Sequence, residues 1–408
     1  MNYFSTSIIA GLLSALTSIV YTPALPHSYT PEKNTPFSSL PTGEGRGGAP
    51  LTILFTGDIL LDRGVRHEIE RHGFHSLFAD DSLRSLLKGP LPTGATGVFR
   101  AATDVAAAPQ RGANPDSQRR AGRGGAYHFV IGNLECPATT VNQPAFKRFV
   151  FRSDPQWLDS LRAYGFTHLN LANNHSVDQG RDGLRDTREN ILRAGLIPIG
   201  ADSTMNAAAQ PQRLSVPLPT GATGVFRAAT GVAAAPQRGA NPPFATEGGL
   251  RGGVYLLASN RLTLESFAYL PDRESVSQEP LDSLINRVKT IKNADSTAVI
   301  VVMLHWGAEH TLQPLPQQRL EAHALIDAGA DLLIGHHTHT LQSIETYKGK
   351  SIYYSIGNFI FDQQKPLNTQ ACIVRLRITS DKIAVDTIPI RIDRCAPRIA
   401  PHSQSFPE

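Results

Sequence analysis

The segment DLLIGHHTHTLQ (residues 331–342) runs an apolar, strand-like stretch directly into three histidines within four positions. Side chains on an extended segment alternate between its two faces, so the spacing of His337 and His339 predicts that both rings point to one side. Histidine is the commonest metal ligand, and imidazole suits zinc, iron, nickel and copper. A single histidine here would more often be a buried residue bonded to a carbonyl group. The cluster instead predicts a metal site whose other ligands lie elsewhere in the chain.

Apolar runs typical of strands alternate with amphipathic stretches typical of helices along most of the chain. The helical stretches are 182–195, 283–291 and 318–329. This alternation predicts a layered α/β fold, closed by a hairpin of residues 371–379 and 382–390. The predicted strands are 51–57, 128–133, 166–172, 298–304, 331–335 and 351–357.

Five of these strands end in a residue that can bind a metal ion. Ligand crevices in open α/β sheets lie beyond the carboxyl ends of the strands, so we expect these residues to converge. An Asp or Asn at one such place could simply cap a turn, but five in series indicate a site. The residues are Asp58, Glu135, the run Asn173–Asn174–His175, His305 and the histidines of the opening segment.

Two long segments are near copies of each other. Residues 91–115 recur as 218–242 with one difference in 25 positions, Asp104 against Gly231. Structural repeats keep their apolar positions and vary the rest, so we interpret these segments (91–125 and 218–253) as inserts tolerated in surface loops. They carry net charges of +3 and +2, so the rest of a chain with a formal charge of +4 carries −1. The basic balance therefore does not indicate a nucleic-acid partner; the open alternative is that the Arg/Gly stretches bind a polyanion.

The N-terminus predicts export. Residues 7–21 are apolar enough for the core of a signal peptide and short for a membrane span of roughly 20 residues. We therefore expect a signal peptide or anchor over 1–25, a linker over 26–50, one catalytic domain over 51–395 and a tail over 396–408.

The three cysteines have no metal-like spacing, and either a Cys372–Cys395 bridge or free buried thiols fit them.

Five ordered motifs resemble those of the CapA family, bacterial proteins of capsule and poly-γ-glutamate synthesis. They are FTGDILLDR (55–63), GNLECP (132–137), LANNHSVDQG (171–180), LHWGAEH (304–310) and the run from Ile334 to Gln363. The family in turn resembles the calcineurin-like metallophosphoesterases. That resemblance implies a four-layer αββα sandwich with a two-metal site.

The resemblance also implies a set of metal ligands. One metal would be held by Glu135, Asn174, His305 and His337, and a second, more weakly, by Asp58, Glu135 and His339. The second site is weaker because this chain departs from the phosphoesterase pattern: Ile59 and Leu60 follow Asp58 where a D-x-H motif is usual. We expect one or two divalent ions, of Mn, Fe or Zn type.

Further site residues follow from the same motifs. His175 matches a general acid or oxyanion stabiliser, and we place Asp178 with it in the catalytic group as its orienting partner. Glu309 would orient His305 or contact substrate. Substrate-binding roles are also implied for Arg63 and Asn358, with Asp362 as a further candidate, although Asn358 and Asp362 fit a structural turn equally well.

The sequence therefore favours an exported CapA-like, metal-dependent hydrolase in the periplasm or cell envelope. Its partner would be an anionic envelope polymer such as poly-γ-glutamate, together with membrane-bound capsule synthesis machinery. Two alternatives stay open: a non-catalytic component that binds or guides the polymer during export, and a plain metal-dependent phosphodiesterase.

Overall fold

The computed structural model describes residues 51–89, 127–214, 253–265, 267, 270, 272–379 and 382–401. The predicted signal peptide or anchor, the linker and all of both inserts except Gly253 lie outside these residues. Within the described ranges, no helix is long and apolar enough to cross a membrane.

The first sheet has eight strands and is built around a parallel centre. β1 pairs in parallel with β2, β2 with β3 and β3 with β4, while β13 adds in parallel to the end of β1. On the other side of β1, an antiparallel meander of β14, β15 and β16 completes the sheet. Its strands are β1 (Leu51–Ile59), β2 (Tyr127–Leu134), β3 (His168–Asn170), β4 (Ile197–Ile199), β13 (Asn358–Ile360), β14 (Gln370–Ile378), β15 (Ile383–Asp393) and β16 (Ala396–Ile399).

The second sheet has six strands in the order β11, β12, β10, β9, β7, β6. Its central strands β7, β9, β10 and β12 are parallel. They are β6 (Gln212–Arg213), β7 (Val254–Asn260), β9 (Val299–His305), β10 (Leu332–His336), β11 (Ile344–Tyr347) and β12 (Lys350–Tyr353). A small pair of strands, β5 (Ala201–Asp202) and β8 (Ser275–Val276), stands apart from both sheets.

Seven α-helices occur in the described ranges, and most have clear local signals. Asp62 caps the first helix by accepting the N–H of Arg63, and Gly73, with φ of 77°, ends it. The last helix begins at Pro316, which needs no hydrogen-bond partner for its nitrogen there. The helices are α1 (Arg63–His72), α2 (Asp81–Lys88), α3 (Trp157–Ala163), α4 (Gly180–Arg193), α5 (Met205–Ala208), α6 (Leu281–Ala294) and α7 (Pro316–Asp327).

Three apolar cores stack these elements into four layers. The central core joins the facing sides of the two sheets, with Phe55 and Val374 from the first packed in one cluster with Val301 and Ile334 from the second. A second core lies between the first sheet and helices α1 to α4. A third joins the outer face of the second sheet to α6 and α7. The chain thus has the α/β, four-layer αββα arrangement that the resemblance implied.

The predicted strands and helices agree with the structure, which also contains elements that were not predicted. Each predicted strand and helix overlaps an observed one, and the closing hairpin is β14 with β15. β16 falls within the segment predicted as a tail; it pairs with β15, so the folded sheet extends to Ile399. The elements that were not predicted are β4 to β8, β11, β13, β16, α1 to α3 and α5.

Candidate metal centre

Asp58 lies near the end of β1, directly after a shift in strand register. The pairing of β1 with β2 shifts register between Phe55 and Asp58. A Cβ on Gly57 would lie 2.0 Å from the carbonyl oxygen of Gly357, so only glycine permits this approach. That same oxygen accepts the N–H of Asp58 at 3.1 Å. The backbone at Gly57 thus passes close to Gly357, and this approach fixes the position of the fully buried Asp58 carboxylate.

Glu135 and Asn174 follow the next two strands of the same sheet. The N–H of Glu135 donates to the carbonyl oxygen of Ile59 at 2.8 Å, which continues the β1–β2 ladder past the last residue of β2. Asn174 sits in a tight turn after β3. Its side-chain oxygen lies 2.8 Å from Nε2 of His305, which ends β9 of the second sheet. This contact joins the strand ends of the two sheets.

Two groups of ligand-type atoms share Glu135. Within each group, one donor atom from each residue lies within 4.8 Å of the others. Asn174 adds its oxygen to the first group through its contact with His305. The structure thus brings together all six predicted ligands and divides them as the resemblance implied, while ion binding itself stays a prediction. The groups are Glu135, His305 and His337, and Asp58, Glu135 and His339.

The paired histidines are held by a turn and not by a strand. β10 ends at His336, and His337 (φ 92°) and His339 (φ 56°) both have left-handed backbones. The argument from side-chain alternation along a strand is therefore wrong, although the two rings do lie near each other, with centroids 6.1 Å apart. A left-handed non-glycine residue costs about 1–3 kcal/mol and occurs mostly where surrounding structure enforces it. The turn is thus preorganised to present both rings.

Burial favours the neutral form that a metal ligand requires in two of the imidazoles, those of His305 and His337. It lowers the pKa of His337 to about 3, helped by the neighbouring His339. Burial also lowers the pKa of His305 well below its usual value, and repulsion from His337 adds to this shift. At neutral pH these rings therefore offer lone pairs.

The two carboxylates differ in how well their charge is tolerated. Burial raises the pKa of Glu135 well above its usual value, and the nearby charge of Asp58 raises it further. Burial acts in the same direction on Asp58, but the hydrogen bond from His339 and the electrostatic attraction of nearby histidines outweigh it, so the pKa of Asp58 is lowered. A cation between the two carboxylates would relieve the repulsion on Glu135.

Glu135 has two buried oxygens without hydrogen-bond partners among the described residues. Its Oε1 lies 3.7 Å from Nε2 of His305 and 3.8 Å from Nε2 of His339, which is too long for hydrogen bonds. Nδ1 of His337 is also buried without a partner in the described part of the chain. Buried polar atoms are costly when unpaired. Carboxylate, imidazole and amide donors together fit a divalent ion of Mn, Fe or Zn type.

Two buried asparagines hold the ligands in place. Asn133, which the sequence reasoning did not single out, donates to Asp58 Oδ1 at 2.8 Å and lies 3.4 Å from His305 Nδ1, so it contacts a member of each group. Asn358 was predicted to bind substrate, but its Oδ1 lies 3.0 Å from His339 Nδ1 and its amide donates to the carbonyl oxygen of Asn368. Fully buried and occupied in this way, Asn358 orients a ligand instead.

His175 stands beside the two groups with the partner that was predicted for it. Its Nδ1 lies 2.9 Å from Oδ2 of Asp178, and its ring packs against Phe151 at 4.3 Å between centroids. Burial lowers the pKa of His175, although Asp178 opposes the shift. His175 also lies close enough to His337 to influence the pKa of that residue.

Arg63 lies between two aromatic rings that border the site. Its guanidinium carbon is 4.8 Å from the centroid of Phe151 and 5.6 Å from that of Phe361, and Nη2 pairs with Asp362 at 2.5 Å. Phe151 packs on His175 and Phe361 on His339. About a third of the Arg63 side chain remains exposed. Asp362 therefore orients an arginine whose side chain stays partly exposed.

Glu309 does not make the contact predicted for it. Its carboxylate lies 3.7 Å from His310 Nε2 and is half exposed, whereas the ring nitrogens of His305 face Asn174 and Asn133. Because the Glu309 carboxylate is exposed, substrate contact stays as the remaining prediction for this residue.

His310, which was given no role, has φ of 59°, and its ring centroid lies 6.2 Å from that of His339.

Residues 52–363 match the family model described as "Bacterial capsule synthesis protein PGA_cap". The chain belongs to this family. The match spans all five motifs and runs across both inserts, which confirms the resemblance drawn from them.

Two CapA proteins are similar to this chain over most of its length. The capsule biosynthesis protein CapA of Bacillus anthracis is 30% identical over 358 residues, 86% of this chain and 70% of that protein. The PGA biosynthesis protein CapA of Bacillus subtilis is 30% identical over 276 residues, 67% of this chain and 63% of that protein. Among solved structures, the calcineurin-like phosphoesterase YfkN of Bacillus subtilis matches with a TM-score of 0.36 and 11% identity, over 86% of this chain and 88% of that one.

Proposed function

We propose that this protein is a metal-dependent hydrolase that acts on an anionic polymer of the cell envelope. The observation that carries the proposal is Glu135, whose two buried oxygens have no hydrogen-bond partner in the described part of the chain and lie where two groups of ligand atoms meet. A bound divalent ion supplies Lewis-acid activation and lowers the pKa of water. Such a centre suits the cleavage of a phosphoester or an amide.

The chain's own residues supply orientation and proton handling. Asn133 and Asn358 hold Asp58 and His339 by hydrogen bonds, so the ligands are positioned before substrate arrives. His175 stands beside the groups with Nδ1 engaged by Asp178, which leaves Nε2 to take up a proton; the imidazolium so formed, held by the Asp178 carboxylate, then protonates a leaving group or stabilises an oxyanion.

The substrate class is inferred from relatives and from charge. The family and the two CapA relatives are named for capsule or PGA synthesis, and we infer poly-γ-glutamate or a similar polyanion. Arg63 beside the site offers a guanidinium to a carboxylate or phosphate.

Turnover tests the hydrolase directly. We expect the full chain loaded with Mn²⁺ or Zn²⁺ to cleave bis(p-nitrophenyl) phosphate or a γ-glutamyl oligomer, and His175→Ala to lower kcat by about 10²–10⁴-fold. Unchanged kcat in His175→Ala would contradict the assignment. Chelator-sensitive polymer binding without any turnover would instead establish the non-catalytic alternative.

The role of Glu135 is tested by a matched pair of isosteric variants. We expect Glu135→Gln to weaken metal affinity at least 100-fold in calorimetric titration, because both groups lose a shared ligand. Glu279→Gln is the control, since Glu279 is equally buried but pairs with Arg287. Equal metal affinity in the two variants would contradict the shared site.

We also propose that the protein is exported, on the basis of the apolar residues 7–21. Cell fractionation should find it in the periplasm or envelope. Recovery of the full chain in the cytosol would contradict export.

A further inference from the structure

Lys147 is a buried lysine in a mostly exposed loop. Its side chain is only 6% exposed, whereas Gln143, Arg148 and Phe149 around it are exposed. Lysine is almost never fully buried unless its charge is paired. The loop therefore directs one ammonium group inward, toward the turn that carries Asn174 and His175.

Within the described ranges, the polar contacts of the Lys147 ammonium are all with residues of that turn. Nζ forms an ion pair with Oδ1 of Asp178 at 2.5 Å and donates to the carbonyl oxygen of Asn174 at 3.0 Å. It also lies 3.4 Å from Nδ1 of His175. No member of either ligand group is contacted through its donor atom, so Lys147 acts on the surroundings of His175.

Asp178 needs this lysine because its carboxylate is completely buried. Its Oδ2 accepts the N–H of Phe151 at 2.7 Å and faces Nδ1 of His175 at 2.9 Å, while Oδ1 faces Lys147. A buried carboxylate without a counter-charge would change its orientation or take up a proton. With the ammonium on one side, Oδ2 stays aligned as an acceptor for the imidazole N–H.

We propose that Lys147 is a positioning residue that, through Asp178, fixes His175 in one tautomer. In that tautomer Nδ1 carries the hydrogen and donates it to Asp178 Oδ2, and the Nε2 lone pair is presented to the crevice. The geometry supports this choice, because 2.9 Å to Asp178 is a good hydrogen bond and 3.4 Å to Lys147 is not. In the described ranges Nε2 of His175 has no hydrogen-bond partner, so it is the nitrogen left for substrate.

The inference deepens the proposed function, since a fixed His175 matters only if the crevice does chemistry. Removing a residue that orients a site residue in this way typically lowers activity 10- to 100-fold. We therefore expect Lys147→Met to lower kcat by about that factor with KM changed less than about threefold, and Lys147→Arg to restore most of it. Metal content should be unchanged in both variants.

A readout independent of turnover is the ring ¹⁵N spectrum of His175 in the full chain, assigned with His175→Gln. Wild type and Lys147→Arg should show a pyrrole-type Nδ1 and a pyridine-type Nε2, and Lys147→Met a mixture of tautomers. The control is Lys292→Met, which removes another lysine–aspartate pair, 2.8 Å from Asp331, and should leave the His175 signals unchanged.

The outcomes separate this inference from the proposed function. A single, unchanged tautomer in Lys147→Met overturns the inference, as does loss of metal content in that variant. Absence of turnover in wild type counts against the hydrolase only, because the spectra still decide the role of Lys147. If Lys147→Met does not fold, the neutral Lys147→Gln protein replaces it, with Asp178 intact; a mixture of tautomers there supports the inference and one unchanged tautomer overturns it.

Discussion

Glu135 and its neighbours show how a buried site can be built from groups that are unfavourable alone. Two carboxylates and several imidazoles are buried together, and burial favours the neutral form of His305 and His337. Asn133 and Asn358 contribute amides that orient ligands without adding charge. The negative charge of Glu135 remains unfavourable because the residue is buried beside Asp58, and a divalent ion bound there would stabilise it.

The low pKa of His337 predicts a pH dependence of stability in the metal-free protein. Its pKa is about 3 when folded and 6.5 otherwise, so between these values the unfolded chain binds more protons. The free energy of unfolding should therefore fall as pH decreases from about 6.5, by at most about 1.4 kcal/mol per pH unit from this residue.

Urea unfolding at several pH values checks this sign. The stability difference between wild type and His337→Asn should grow with pH between about 4 and 6.5, with the exposed His67→Asn as a control for removing a histidine. A difference that is flat or shrinks over that range would contradict the buried, neutral His337.

The six predicted ligands were accessible from sequence because each one follows a recognisable strand or lies in a quoted motif. The residues that hold the ligands and His175 in place could not be predicted in this way. Asn133 is the last residue of the predicted strand 128–133, yet only the packing of two sheets shows that it contacts both Asp58 and His305. Lys147 lies in a polar loop with no regular pattern, and its burial depends on tertiary contacts alone.

At the level of strands, close backbone approaches fix where the site residues emerge. Gly335 in β10 is one such place, because a Cβ there would lie 1.9 Å from the carbonyl oxygen of Tyr354. We expect Gly335→Ala to lower the free energy of unfolding by about 3 kcal/mol, since backbone must move. Metal affinity should fall as well, because β10 leads directly into His337.

Gly349→Ala is the matched control for that substitution. Gly349 has φ of 74° but open space around it, so alanine there should cost only about 1–2 kcal/mol of left-handed strain and leave metal affinity intact. Equal effects of the two substitutions on stability and metal affinity would contradict the role of the close approach.

The elements missed from sequence are those with weak local patterns. β13 has three residues and exists because it adds to the end of β1. β7 begins directly after the second predicted insert, where the unrelated composition hides it. Only two residues of α1, Val65 and Ile69, are buried, so its apolar face is too narrow to stand out. The turn of His337 and His339 was placed on a strand because left-handed histidines have no sequence signal.

For the molecule as a whole, the interpretation of 91–125 and 218–253 as inserts predicts that they are dispensable. Both lie outside the described residues, apart from Gly253, between elements that belong to the four-layer core. Replacing each with a short Gly/Ser linker should leave metal affinity unchanged and raise stability by about 1–2 kcal/mol per loop through reduced closure entropy. Thermal unfolding and calorimetric titration check this, and loss of cooperative unfolding would show that the segments belong to the fold.

The four-layer arrangement itself was predicted by resemblance and not by local pattern. Alternating strands and helices indicated a layered α/β fold, but nothing in the local sequence says that β1 and β9 belong to different sheets whose strand ends meet. Their meeting depends on the central apolar core and on contacts such as Asn174 with His305.

The most direct test of the shared centre is an anomalous difference map from crystals of the full chain grown with Mn²⁺ or Zn²⁺. We expect a peak among Glu135, Asn174, His305 and His337, and a second, weaker peak among Asp58, Glu135 and His339. No peak at either place, or ions bound only at other sites, would contradict the account.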